Sequence, residues 1–145
     1  MNLLKIARVP AVVVAPEDTV KAAVEKMCEV GVGAVVVVED EKLVGIFTER
    51  DLMRRVVRPG FSPQQTLISE VMTPDPLIAP REMNLRDAFE FMTDKHFRHL
   101  PLTDHLGRVQ GMLSVRHLMR DLVEKLSHEL EGLSAYLGVD GVGGD

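Results

Sequence analysis

The chain has 145 residues, 46% apolar and 27% charged, with a formal charge of -5 and a pI near 5.5. That length suits a single domain, about 100–200 residues, able to bury a core without metal or disulfide; the lone Cys28 cannot form an internal bridge, which fits a reducing, cytoplasmic setting. The acidic balance argues against nucleic acid or anionic membrane as partner, the longest apolar run, residues 31–38, is too short to span a bilayer, and residues 1–6 lack the apolar stretch of a signal peptide.

In chain order, Val12, Val13 and Val14 form a short apolar run, and Pro16-Glu17-Asp18-Thr19 leads into a helix. Val20, Ala23, Val24 and Met27 stand at i, i+3, i+4 and i+7, the stripe of an amphipathic helix. Residues 34–39 follow as a strand, a turn at Asp40-Glu41-Lys42, and a second strand ending at Thr48. The Val35-Val36-Val37-Val38 run is apolar on both faces, as in a sheet covered on both sides, which predicts a mixed α/β fold. Residues 58–66, rich in Pro, Gly and polar side chains, mark a linker.

Beyond the linker the pattern returns. Residues 16–57 can be laid on residues 80–123: Val20, Ala23, Val24 and Met27 fall on Leu85, Ala88, Phe89 and Met92. The strand from Ala34 falls on the one from His99, and Gly45-Ile46-Phe47-Thr48 falls on Gly111-Met112-Leu113-Ser114. Each copy reads strand, helix, strand, turn, strand, helix. A unit of about 60 residues is marginal alone, so the copies are expected to pack on each other about a pseudo-twofold axis, leaving related clefts between them. The expected organisation is residues 1–64 for the first repeat and linker, 65–125 for the second, and 126–145 for a C-terminal helix extension and tail. Met119, Leu122, Leu126, Leu130, Leu133 and Leu137 recur every three or four residues, so the last helix outruns its counterpart. Folding back on its own core and docking on another subunit both satisfy that stripe. Gly138 is placed to stop the helix, with residues 141–145 as a loose tail.

The chemistry concentrates at the turn 45–51. Thr48 is a natural N-cap and Asp51 stands at N3, the pattern of a capping box. The same helix start offers free N–H groups to a phosphate, and a carboxylate one turn in can accept two hydrogen bonds from a ribose diol. Both readings stay open from these residues alone. Other candidates are weaker. His96 and His99 lack the three or four convergent ligands a zinc site needs, so no metal is expected. Arg50, Arg54, Arg55 and Arg58 are expected on a solvated helix face, with Arg50 near enough to the turn to add positive potential. Cys28 is expected to be buried or half-buried. No nucleophile elbow, phosphate loop or Cys–His pairing is present, so no enzyme activity is expected.

The duplicated pattern, each copy carrying Gly-apolar-apolar-Thr/Ser at the end of its strand, resembles a tandem CBS-domain pair, the module named after cystathionine beta-synthase. Pro16-Glu17-Asp18-Thr19-Val20, Val71-Met72-Thr73-Pro74-Asp75-Pro76 and Phe97-Arg98-His99-Leu100-Pro101-Leu102 support the likeness, which covers about residues 6–123. The resemblance implies two βαββα repeats and an adenosine ligand between them. It implies that Asp51 holds the ribose, Thr48 contacts ribose or phosphate, Arg98 and His99 reach the phosphates, and the adenine lies near Val12 and Val13. The second motif departs from the pattern: Ser114 is kept, but His117 stands where the Asp belongs. A neutral imidazole has one acceptor and cannot clasp a diol, so the Ser114/His117 cleft is expected to be weak or empty. The resulting expectation is a regulatory module that senses an AMP, ADP or ATP ligand through a homodimer or an effector protein and needs no cofactor. The alternatives are a structural module with vestigial clefts and a sensor of S-adenosylmethionine or NAD.

Overall fold

Val13–Val14 (β1) and Ala34–Glu39 (β2) run parallel, a pairing that needs a crossover, and the helix Val20–Val30 (α1) supplies it. In the computed structural model, which describes residues 2–137, Thr19 caps this helix by accepting from the Ala22 N–H, and Gly31 ends it in the left-handed conformation. Lys42–Thr48 (β3) returns antiparallel to β2 through Asp40 and Glu41, both at positive φ as tight hairpins require. The chain then enters Glu49–Asp51 (α2), which widens into a π-helix over Leu52–Val57, and after the linker forms Ile68–Val71 (α3). The linker is not loose: the Val20 and Lys21 N–H groups donate to the Thr66 and Pro63 carbonyls.

Thr73–Pro74 (β4) pairs antiparallel with β3, so the first sheet runs β1-β2-β3-β4. The phrase that opens the second copy in chain order therefore closes the first sheet. The exchange is mutual, since Arg8 bridges Met112 of the second sheet with both backbone hydrogen bonds and Leu3 is fully buried in the second core. That second sheet runs β5-β6-β7, formed by Ala79–Pro80 (β5), His99–Thr103 (β6) and Val109–Ser114 (β7). Leu85–Lys95 (α4) crosses between β5 and β6, and Val115–Leu137 (α5) follows β7. The mixed α+β architecture read from the sequence is thus observed.

The alternation along β2 explains the packing. Val35 and Val37 face Val20, Ala23, Met27 and Phe47 in the first repeat's own core. Ala34 and Val36 face the opposite way, into a cluster with Ala11, Ile46 and Met112 that joins the repeats. Both faces of the valine run are covered, one by helices and one by the other repeat.

In α5 only the first turns meet the core, with Leu118 buried and Leu122 partly so. Met119, Val123, Leu126, Leu130, Leu133 and Leu137 are exposed, so the helix does not fold back on its own core. Gly138 and residues 141–145, expected to stop the helix and form a tail, lie outside the described residues. Cys28, expected at least half-buried, is exposed, because it falls about a quarter-turn past Met27, off the buried stripe of Val20, Ala23 and Met27. Among the described residues no helix is long and apolar enough to cross a membrane.

Candidate functional site

Gly45 ends up beneath β4: a Cβ there would lie 3.1 Å from the Thr73 carbonyl oxygen and collide with the Met72 side chain. Gly111 is under the same pressure from the N-terminal segment, with the Arg8 carbonyl oxygen 2.9 Å from where its Cβ would be. A side chain at either glycine therefore presses on the segment that crosses its turn, through the Met72 side chain and Thr73 carbonyl at Gly45 and through the Arg8 backbone at Gly111.

Three residues on, both halves of the capping box form. The Asp51 N–H donates to Thr48 Oγ1 at 3.2 Å and the Thr48 N–H donates to Asp51 Oδ2 at 3.0 Å. Asp51 is buried, and its other oxygen, Oδ1, accepts from the Thr73 hydroxyl at 3.3 Å and lies 3.7 Å from Arg55 Nε. Arg55 also donates from Nη1 to the Met72 carbonyl at 2.8 Å, tying the π-helix to the segment ahead of β4.

The second motif keeps the box with different chemistry. The His117 N–H donates to Ser114 Oγ at 3.2 Å, and the Ser114 N–H donates to His117 Nδ1 at 3.3 Å. That bond requires an unprotonated Nδ1, and desolvation, followed by the charges of Arg120, Arg8 and Arg116, lowers the pKa of this imidazole. Its acceptor nitrogen is spent on the backbone, which leaves none for a diol.

A cavity of about 370 Å³ opens beside the first motif and draws its walls from both repeats. Thr48, Arg50 and Asp51 line it from the first repeat and Arg98 and His99 from the second, so five residues singled out in the sequence share one hollow. Val12 and Val13 are not among the lining residues. Val13 lies on the edge strand β1 and Val12 just ahead of it, and the apolar wall consists instead of Ile46, Pro76, Leu77, Phe97 and Pro101. Arg54 and Arg55 are exposed, as expected, and also line the cavity, each standing four residues after a lining residue, Arg50 or Asp51. Glu49, Thr73, Asp75 and His96 complete the polar lining; the sequence weighed His96 only as a metal candidate and assigned none of the four to the ligand, and the clue to Thr73 and Asp75 is the Thr-Pro-Asp-Pro phrase, whose strand pairing is not local. Neither this cavity nor a smaller one beside Arg81 and Asp104 includes Ser114 or His117.

His99 sits between the two motifs. Desolvation is the main cause lowering its pKa; Glu49 of the first repeat opposes the shift, and His117, Arg98 and Arg116 add to it. Arg98 is held by its backbone, whose carbonyl accepts from the Val115 N–H at 2.9 Å, as Gly33 accepts from Glu49 in the first repeat.

With two sheets exchanging segments around an interfacial cavity, the class is a tandem α+β repeat with a shared hollow between its copies. The CBS domain family model matches residues 5–58 and 68–124, and the chain belongs to that family as a CBS-domain pair. The chain is 37% identical over 127 residues to the Arabidopsis thaliana protein named "CBS domain-containing protein CBSX3, mitochondrial", covering 83% of this chain and 61% of that protein. Against another Arabidopsis relative, CBSCBSPB3, it spans only 21% of the length, so the chain covers between a fifth and three fifths of these curated relatives. Among solved structures, the CBS domain NE2398 superposes with a TM-score of 0.78 at 35% identity, covering 83% of this chain and 94% of that one. A structure of CBSX2 in complex with AMP gives a TM-score of 0.72 at 25% identity, covering 85% and 96%.

Proposed function

We propose that the interfacial cavity binds an adenosine nucleotide of the AMP, ADP or ATP class as a regulatory ligand, with no cofactor and no catalysis, and that the chain acts as a cytoplasmic homodimer or on an effector protein. The observation that carries this reading is that Asp51 and Arg98, from different repeats, line one cavity. A sugar diol needs a paired acceptor and a phosphate needs fixed cations; the cavity offers both within nucleotide size. The AMP complex of a structural neighbour supports the same ligand class. Binding across the repeats would change their packing to the extent that affinity differs between two arrangements.

One observation favours a structural reading instead: both Asp51 oxygens already have partners, the Thr48 N–H and the Thr73 hydroxyl. A thermal-shift series with AMP, ADP, ATP, NAD and S-adenosylmethionine separates the two. A ligand at 100 times its Kd adds about 2.7 kcal/mol, or roughly 3–6 °C in a domain of this size. Asp51→Asn keeps an oxygen for the Thr48 N–H but turns the other acceptor into a donor; its basal midpoint should stay within about 2 °C while the nucleotide shift disappears. Asp51→Ala should lose the shift and also about 1 kcal/mol of basal stability. If no adenosine compound moves the wild-type midpoint, the structural reading stands.

A further inference from the structure

The connection between helix and strand differs between the repeats in a way the fold does not require. In the first repeat it reads Gly31-Val32-Gly33-Ala34, and in the second His96-Phe97-Arg98-His99. The backbones match: Gly31 and His96 both cap their helices in the left-handed region, at φ 81° and 60°, and both donate their N–H groups to the methionine carbonyl at the corresponding place, Met27 or Met92. Glycine is the residue that position favours, because a side chain there is strained. The second repeat nevertheless carries histidine, and His96 lines the cavity. Four non-glycine residues among the described ones have positive φ; two form the Asp40-Glu41 hairpin turn, and the other two, Asp75 and His96, both border this cavity. Strained conformations kept at a binding hollow are the kind that function retains.

Charge placement indicates what His96 would hold. The acidic lining groups, Glu49, Asp51 and Asp75, all come from the first motif and the segment crossing it, where they are offset by Arg50, Arg54 and Arg55, whereas the connection 96–99 contributes Arg98 and no carboxylate. An anionic group is therefore best accommodated against the connection, where Arg98 supplies a fixed charge and the imidazoles supply N–H donors. Resting on the nucleotide reading above, we propose that His96 is a specificity residue that hydrogen-bonds the phosphate chain of the ligand, and that it occupies a glycine position because this contact outweighs the backbone strain.

The test is calorimetric titration of the full chain and its variants with ATP and with adenosine, paired with the melting midpoint of the ligand-free protein. His96→Gly removes the donor and the strain together. It should weaken ATP about 10-fold, the loss of one charge-assisted hydrogen bond, leave adenosine affinity within about 2-fold, and raise the ligand-free midpoint by about 3 °C. His96→Lys restores a cation but not the glycine backbone, so it should keep ATP affinity within about 3-fold of wild type with no gain in midpoint. Equal loss for ATP and adenosine, unchanged ATP affinity, or a lowered midpoint in His96→Gly would each overturn this assignment while the nucleotide reading survives. A wild-type chain that binds neither ATP nor adenosine overturns both.

Discussion

Asp51 and His117 occupy the same position in the two repeats and make the same bond to the backbone, yet one retains a second, differently oriented oxygen and the other does not. The capping box is thus the common structural element; on the nucleotide reading proposed above, the two sites differ in the oxygen that Asp51 turns toward the Thr73 hydroxyl and that His117 lacks. His99 adds a pH response. Its pKa is lowered, chiefly by desolvation, so the folded chain resists protonation that the unfolded chain accepts. Above about pH 6.5 both states are neutral at this group and it contributes no pH dependence. As pH falls below that value the unfolded state binds more protons and folding stability declines, levelling only below the folded value. Chemical denaturation between pH 8 and 5 should show this acid limb, and His99→Gln should make it shallower without flattening it, since His117 is shifted the same way. An anion placed beside His99 reverses the preference, so nucleotide affinity should strengthen as the pH is lowered from 8 to 6. Glu49 faces the same group and limits the size of that gain. Affinity that is flat across this range in wild type would detach His99 from the ligand.

Among the elements, the π-helix Leu52–Val57 carries arginines that are both exposed, as expected, and at the border of the cavity. Arg54 and Arg55 stand four residues after Arg50 and Asp51 and so share their face: they line the cavity while staying exposed, and wide turns of this kind recur at functional sites. Arg55 clamps the Met72 carbonyl and so fixes the segment that enters β4. Arg55→Ala should leave global stability nearly unchanged, because the side chain is about half exposed at 48% and its pairing with Asp51 is correspondingly screened. It should instead speed hydrogen exchange at the Asp75 amide, which donates to the Val44 carbonyl across the β3–β4 edge. Unaltered exchange at that amide would show that strand pairing alone holds β4. The duplicated helices and the valine strand were legible because each carries its own period, and the first motif because its residues are adjacent. The strand exchange was not, since β4 spans only two residues and its partner lies about 30 positions away. Val12 and Val13, which the resemblance places near an adenine, stand outside the cavity lining, whose apolar part comes from residues such as Pro76 and Leu77 in the crossing segment.

For the whole molecule, the open question is what covers α5. Its first turns are anchored by Leu118, whereas Leu126, Leu130, Leu133 and Leu137 are 53–65% exposed along one helix, continuous with Met119 and Val123. The corresponding helix of the first repeat exposes Met53 and Val57, which align with Met119 and Val123, so each repeat presents an apolar helical edge of the same kind. A contiguous apolar edge of that length is uncommon on a monomer, and a second copy offering the same edge would satisfy it by an isologous contact. The charges along α5 favour an antiparallel arrangement: Arg116 and Arg120 stand near its start, and Glu129 and Glu131 near its end with no Lys or Arg beyond Lys125. Side by side in opposite directions, two such helices oppose unlike charges; in parallel they oppose like ones. The proposed homodimer should therefore sediment as a dimer at micromolar concentration and dissociate more readily as salt is raised. Leu126→Glu with Leu130→Glu should give a monomer whose melting midpoint no longer depends on protein concentration, with its far-ultraviolet signal largely kept because neither leucine is in the core. A wild-type chain that sediments as a monomer, or a double variant that stays dimeric, would move the contact away from this helix and leave its leucines to a different partner.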